Sequence, residues 1–103
     1  MNGNKLNGGL MEKSISSKAK VFKALGHPAR LFMVEELAKG ECCVCNLVKL
    51  VKADFSTVSK HLAVLKEAGI VKDDKRGKMV FYRLKVPCLL RFVDCIEAVC
   101  VDK

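Results

Sequence analysis

Six cysteines in a chain of 103 residues are the side chains best suited to chemistry. Cys42, Cys43 and Cys45 lie within four positions, and the others follow near the C-terminal end at Cys88, Cys95 and Cys100. The sequence starts without the hydrophobic core of a secretory signal, so we expect a cytoplasmic protein with free thiols. Thiolates bind soft metal and metalloid ions and undergo reversible oxidation. The sequence therefore predicts a metal site or a redox site.

The spacing of the three clustered cysteines restricts how they could share one ion. A short helix is predicted over residues 44–51, and if it extended back over the cysteines, Cys43 and Cys45 would project about 200° apart. Cys42 and Cys45, three positions apart, would share one side. An ion bound by all three would then require the first helical turn to open. Buried structural cysteines and a redox or persulfide sensor are the alternatives.

The three C-terminal cysteines form no evident triad. On a helix over residues 88–101, Cys88 and Cys95 share a face, whereas Cys100 lies about 140° from Cys95. We expect them to pack in the core or in a dimer interface, and donation of a further metal ligand is the alternative.

The charge distribution indicates a polyanionic partner. There are 19 Lys and Arg residues against 11 Asp and Glu, a formal net charge of +8. The excess is concentrated in residues 1–30 and 72–85, which suits nucleic acid. No Ser/His/Asp set, phosphate-binding glycine loop or pair of catalytic carboxylates is evident, so an enzyme is not expected. No apolar run is long enough to cross a membrane.

The pattern of apolar residues predicts a flexible arm over residues 1–13 and one domain over 14–103. Helices are expected at about 14–25, 28–38, 44–51, 55–68 and 88–101, and two strands, at about 70–71 and 79–84, flank a basic turn. This order predicts a mainly α fold with a β-hairpin wing, the winged helix-turn-helix, which binds double-stranded DNA. The expected DNA contacts are polar residues of the fourth helix and basic residues of the hairpin: Ser56, Thr57, Ser59, Lys60, His61, Lys75, Arg76 and Lys78.

The first and last helices carry more apolar surface than one small core needs. Their exposed stripes would be covered by a second copy of the chain. The sequence therefore predicts a homodimer whose interface contains Phe22, Leu89, Phe92, Val93 and Ile96.

Four segments resemble the arsenic-repressor (ArsR/SmtB) family of metal-sensing repressors. They are residues 24–31 (ALGHPARL), 41–47 (ECCVCNL), 56–69 (STVSKHLAVLKEAG) and 76–84 (RGKMVFYRL). The resemblance covers about residues 16–100. It implies a dimer that binds operator DNA and dissociates when As(III) or Sb(III) binds cysteine thiolates.

Within the cysteine segment, Cys43 and Cys45 match the two cysteines of the arsenic-sensing branch. Cys42 replaces a leucine of that branch, Asn46 an aspartate, and Val48 stands where a further cysteine is often found. The resemblance thus implies a three-sulfur site that contains Cys43 and Cys45. We expect Cys42, the nearest further thiol, to be the third ligand, and Cys88, Cys95 or Cys100 are the alternatives. A sensor of Cd, Pb, Zn or thiol oxidation, and a constitutive DNA-binding protein with structural cysteines, are the other readings.

Overall fold

Five helices and a three-stranded antiparallel sheet make up residues 8–101, the part of the chain that the computed structural model describes. In chain order they are α1 (Gly8–Leu25), α2 (Pro28–Leu37), β1 (Cys42–Cys43), α3 (Val44–Val51), α4 (Phe55–Glu67), β2 (Val71–Arg76), β3 (Met79–Leu84) and α5 (Leu89–Val101). The helix pair α3 and α4, followed by the β2–β3 hairpin, has the order of a winged helix-turn-helix. We call the hairpin the wing.

Local signals define both ends of the turn between α3 and α4. Lys52 adopts a left-handed conformation with φ 60° and ends α3. Asp54 then caps α4, because its side chain accepts a hydrogen bond from the backbone N–H of Thr57 at 2.9 Å. Hydrogen bonding with Thr57, through its side chain and then its backbone N–H, holds the pKa of the Asp54 carboxyl below its ordinary value. The cap sets the direction in which α4 leaves the turn.

The core is apolar and centres on one face of α4. Val58, Leu62 and Leu65 are each fully buried. They pack with buried residues of the neighbouring helices, which include Met33, Val34 and Leu47. Since one face of α4 is anchored in this way, its opposite face remains available to another molecule.

The sheet has the strand order β1-β3-β2. Gly77 makes the turn of the wing with a φ of 62°, a conformation that favours glycine. As the alternation predicted, Val80, Tyr82 and Leu84 pack against the core. Strand β2 is longer than predicted, because its polar residues pair with β3 from Val71 to Arg76.

Two predictions about local structure need correction. Helix α1 begins at Gly8 instead of residue 14, so much of the predicted arm is helical; residues 1–7 lie outside the described part of the chain. The sequence also gave no indication of β1. Its two residues, Cys42 and Cys43, are too few for a periodic pattern, and their pairing with β3 depends on tertiary structure.

Helices α1 and α5 meet through an aromatic contact. The rings of Phe22 and Phe92 lie edge to face with centroids 5.5 Å apart, yet both side chains remain exposed. Ile96 is exposed beside them, whereas Val93 is buried. Among the helices described, none combines the length and apolar character that a membrane crossing needs.

Candidate metal centre and nucleic-acid interface

Cys43 and Cys45 lie side by side where β1 becomes α3. Cys43 is extended, with φ −81° and ψ 157°, and forms the N-cap of α3, whereas Cys45 is in the first helical turn. The change of backbone direction brings the side chains together, with Cα atoms 5.4 Å apart and a disulfide joining the sulfurs. The expectation that these residues project apart is therefore wrong, because only Cys45 is helical. We call them the cysteine pair.

The expectation of six free thiols is also wrong at the cysteine pair. A disulfide requires Cα atoms within about 4.4–6.8 Å, and the bend at Cys43 provides this. The remaining four cysteines are free thiols: Cys42, Cys88, Cys95 and Cys100.

Cys42 lies on the other face of the sheet from Cys43. In the register of β1 with β3, Cys42 is opposite Tyr82 and Cys43 is opposite Phe81. Because adjacent strand residues point to opposite faces, Cys42 packs against the core with Tyr82. Burial raises the pKa of the Cys42 thiol above its ordinary value, although a hydrogen bond with Asn46 lowers it in part. The structure therefore brings together two of the three clustered cysteines. Within residues 8–101, no group of three or more His, Cys, Asp or Glu side chains is arranged to hold a metal ion.

A small cavity adjoins the cysteine pair. Its volume is about 150 Å³, and its lining is largely apolar. One wall comes from Phe55, the first residue of α4, and another from Met79 at the start of β3; Val44, Lys78 and Val80 complete it. We call this the wing cavity. A group bound to the cysteine pair would thus contact both α4 and the wing.

An arginine ties the segment before β1 to the wing. Arg76 makes two hydrogen bonds to the Glu41 carboxylate, at 2.7 and 2.9 Å, and one to Asp74 at 3.0 Å. Its guanidinium also lies 4.4 Å from the centre of the Phe81 ring, opposite Cys43. The hydrogen bonds with Arg76 lower the pKa of Glu41, and those with Glu41 and Asp74 raise the pKa of Arg76. We call Glu41, Asp74 and Arg76 the wing clamp.

The predicted DNA contacts form an open surface with two exceptions. Ser56, Thr57 and Lys60 are exposed on α4, and Ser59 is half-buried. On the wing, Lys75 and Lys78 are exposed, and no ion pair within residues 8–101 involves either one. Arg76 is the first exception, because protein carboxylates already pair with its charge.

His61 is the second exception, since it faces the corner between α1 and α2. Its ring centroid is 4.5 Å from that of His27, and its Nδ1 is 3.3 Å from the guanidinium of Arg30. Arg30 also donates to the Ala24 carbonyl at 2.6 Å. Burial, followed by the charges of His27 and Arg30, lowers the pKa of His61. This contact fixes α4 against the corner that leads to α1.

The three C-terminal cysteines do not line the wing cavity beside the cysteine pair. Cys88 precedes α5, and Cys95 and Cys100 lie on it; all three are exposed. Cys100 lines a groove of about 300 Å³ between α1 and α5, with Phe22, Phe92 and Ile96 among its neighbours. Cys100 therefore lies beside the predicted dimer surface.

Sequence reasoning missed the wing cavity and the wing clamp. Phe55 begins the predicted fourth helix and is 63% exposed, and Met79 begins the predicted second strand; neither position carried a signal for a cavity. The partnership of Glu41 with Arg76 depends on the pairing of β1 with β3, which has no local signal. The sequence indications of the wing clamp were an acidic residue beside the cysteines, Glu41, and an arginine in the wing, Arg76.

The α3–turn–α4 unit and the wing define a winged helix-turn-helix transcriptional regulator. Residues 27–73 match the model of the bacterial regulatory proteins of the arsR family. The chain is 41% identical over 88 residues to an HTH-type transcriptional regulator of Methanocaldococcus jannaschii, covering 82% of this chain and 98% of that protein. The chain belongs to the arsR family, whose members are DNA-binding regulators and not enzymes.

Relatives within the family are named for different metals. The arsenic resistance transcriptional regulator of Pseudomonas putida is 40% identical over 83 residues, covering 80% of this chain and 64% of its own length. A cadmium resistance transcriptional regulatory protein homolog of Staphylococcus aureus is 43% identical over 67 residues, covering 64% of this chain and 55% of its own length. Family membership therefore leaves the metal open.

A solved structure has the same fold. The homodimeric winged helix-turn-helix DNA-binding domain of a possible ArsR-family regulator from Mycobacterium bovis aligns with a TM-score of 0.82 at 26% identity. The alignment covers 91% of this chain and 87% of that one. The predicted fold class is thus confirmed.

Proposed function

We propose that the chain is a cytoplasmic, homodimeric repressor that binds operator DNA and leaves it when As(III) or Sb(III) binds the cysteine pair. The observation that carries this proposal is the position of the pair. It adjoins Phe55, the first residue of α4, and Met79 of the wing. An ion held there acts directly on both elements that contact DNA.

The third sulfur ligand is Cys42 in this proposal, and recruiting it transmits the signal. Cys42 reaches the ion only if β1 turns over and leaves β3. Two residue pairs join these strands, Cys42 with Tyr82 and Cys43 with Phe81. Each backbone hydrogen bond stabilises by only about 1 kcal/mol net, so the pairing is easily broken. Loss of β1 from the sheet would shift the wing relative to α4 and reduce operator affinity.

DNA is read by α4 and held by the wing. Exposed Ser56, Thr57 and Lys60, with Ser59 beside them, suit the major groove, and Lys75 and Lys78 suit phosphates. Arg76 contributes less than these lysines, because Glu41 and Asp74 already pair with its charge. His61 contributes by fixing the orientation of α4.

The dimer interface is formed by α1 and α5. Exposed Phe22, Phe92 and Ile96, with half-buried Leu89 beside them, form an apolar surface that a second copy covers, and the predicted interface residue Val93 is buried already within one chain. The homodimeric relative from Mycobacterium bovis supports a dimer, and the exposed apolar surface supports its location on these two helices. Analytical ultracentrifugation at micromolar concentration should show a dimer without DNA, and a monomer would contradict the proposal.

Operator release tests the function. A double-stranded operator is first selected from a random-sequence library with the wild-type protein. Fluorescence anisotropy then follows its complex with pre-reduced protein during parallel additions of arsenite, antimonite, cadmium, lead and zinc. We expect release by arsenite and antimonite. Release by cadmium, lead or zinc alone, or release by none of the ions, would contradict the proposal.

Serine variants localise the response. Cys43→Ser and Cys45→Ser should bind the operator as the wild type does but remain bound when arsenite is added, because a hydroxyl is a poor ligand for a soft ion. Cys95→Ser, a substitution on α5, is the matched control and should release the operator with arsenite as the wild type does. If Cys43→Ser still releases DNA with arsenite, the cysteine pair is not the sensor.

Thiol oxidation is the second candidate signal, favoured by the disulfide between Cys43 and Cys45. Oxidation joins the two sulfurs and removes them as ligands. In the same anisotropy assay, release of the operator by an oxidised small-molecule disulfide, with no response to arsenite, would select the redox function.

A further inference from the structure

We propose that Phe55 reads DNA sequence, and that its aromatic ring contacts the C5 methyl group of a thymine in the major groove. The inference rests on the proposed function, because it takes the placement of α4 in the major groove from it. The DNA contacts predicted from the sequence are all polar or charged. Phe55 adds an apolar contact to that surface, and the contact selects one base.

Phe55 occupies the end of α4 that reaches bases in a helix-turn-helix. It is the first residue of the helix, and the N-terminal residues of a recognition helix are those that contact base edges. The Asp54 cap and the fully buried Val58 fix this first turn relative to the core. Phe55 also precedes Ser59, a predicted DNA contact, by four positions, so the two side chains share one side of α4.

The exposure of Phe55 calls for a partner that the dimer does not supply. Phe55 is the most exposed of the five phenylalanines, with 63% of its surface accessible. Covering such a side chain removes apolar surface from water, which is favourable. The next most exposed phenylalanine, Phe22, lies on α1 and belongs to the proposed dimer interface. Phe55 lies on neither α1 nor α5, so a second copy that covers those helices does not account for it.

The neighbours of Phe55 favour DNA as that partner. Phe55 lines the wing cavity together with Met79, which is 45% exposed, and Lys78. Lys78 is exposed and takes part in no ion pair within the described residues, so its charge is available to a phosphate. An exposed ring beside an available cation suits a partner that offers an apolar group next to phosphates. In the major groove only thymine presents a methyl group, and phenylalanine is one of the side chains that contact it.

Replacement of thymine by uracil tests the contact, because it removes the methyl group alone. An operator is selected from a random-sequence library with the wild-type protein, and each thymine is replaced singly by deoxyuridine, which pairs as thymine does. Fluorescence anisotropy measures the affinities with no metalloid present. At one position of a half-site, the replacement should weaken wild-type binding about fourfold, the loss expected for one buried methyl group.

Variants of Phe55 assign this loss to the ring. Phe55→Ala should bind the thymine and uracil operators with equal affinity at that position. Phe55→Gln keeps a long side chain without the apolar ring, should behave in the same way, and serves as the second variant if Phe55→Ala is poorly folded. Val64→Ala is the matched control, since Val64 is 40% exposed on the same helix but does not line the wing cavity. It should keep the wild-type difference between the two operators.

Two results would overturn the inference. One is an operator on which no single uracil replacement weakens wild-type binding. The other is a loss that persists unchanged in both Phe55 variants. Either result leaves the proposed function standing, because release of the operator by arsenite tests that function separately. Failure to select any operator would contradict the proposed function and the inference together.

Discussion

Helix α4 and the cysteine segment with its wing are held in place by different forces. Val58, Leu62 and Leu65 of α4 are completely buried, so its position depends on the whole core. Strand β1 is held by two residue pairs and by the exposed wing clamp. A buried helix resists displacement, whereas a two-residue strand moves at little cost. In the proposed function, DNA reading therefore belongs to the rigid region and sensing to the adaptable one.

The largest expected effect is on the rigid side of this comparison. Leu62→Ala should reduce the free energy of unfolding by about 2–5 kcal/mol, because it leaves a cavity in a close-packed core. Val64→Ala on the exposed face of the same helix should change it by less than about 0.5 kcal/mol. Chemical denaturation measures both. Equal losses in the two variants would show that burial does not hold α4.

The wing clamp provides the next test, through the salt dependence of DNA binding. Lys78→Ala should lower the slope of log affinity against log salt by about 0.9, as expected for one lost phosphate contact. Arg76→Ala should lower it less, because Glu41 and Asp74 already pair with that charge.

Glu41→Gln is the reciprocal variant. It should strengthen binding to DNA of any sequence by partly freeing Arg76. A larger slope change in Arg76→Ala than in Lys78→Ala would show that the clamp opens on DNA.

The smallest predicted effect concerns His61 and pH. Its pKa is lowered from the ordinary value of 6.5 by burial and by the charges of His27 and Arg30, so the folded protein resists protonation there. As the pH falls, the unfolded chain binds this proton before the folded protein does. The contribution of neutral His61 to the free energy of unfolding is therefore fully present above pH 6.5 and is lost as the pH decreases through the lowered pKa.

Thermal melts from about pH 7.5 to about pH 5 should therefore show a decrease in the melting temperature. The decrease should be smaller in His61→Gln. The pKa values of the Glu41 and Asp73 carboxyls are also lowered, so their contributions to the free energy of unfolding are lost in a more acidic range. An identical decrease in His61→Gln would exclude the His27–His61–Arg30 contact as its source.

Local signals predicted most of the fold. The pattern of apolar residues placed the helices, and in the structure His27 and Asp54 cap the starts of α2 and α4; both signals act within a few residues. Strand β1 and the wing clamp depend on contacts between distant segments: Cys43 with Phe81, and Glu41 with Arg76. The sequence therefore located the cysteine cluster but predicted the wrong relation among its members. Helix geometry was applied to Cys43, which is extended.

Arsenic X-ray absorption tests the central claim most directly, namely that the cysteine pair captures the ion and Cys42 completes its coordination. Reduced wild-type protein loaded with arsenite should show three sulfur neighbours, and Cys42→Ser should show two with one oxygen. Fewer than three sulfurs in the wild type would contradict the three-sulfur site. Three sulfurs retained in Cys42→Ser would assign the third ligand to Cys88, Cys95 or Cys100 and contradict the account.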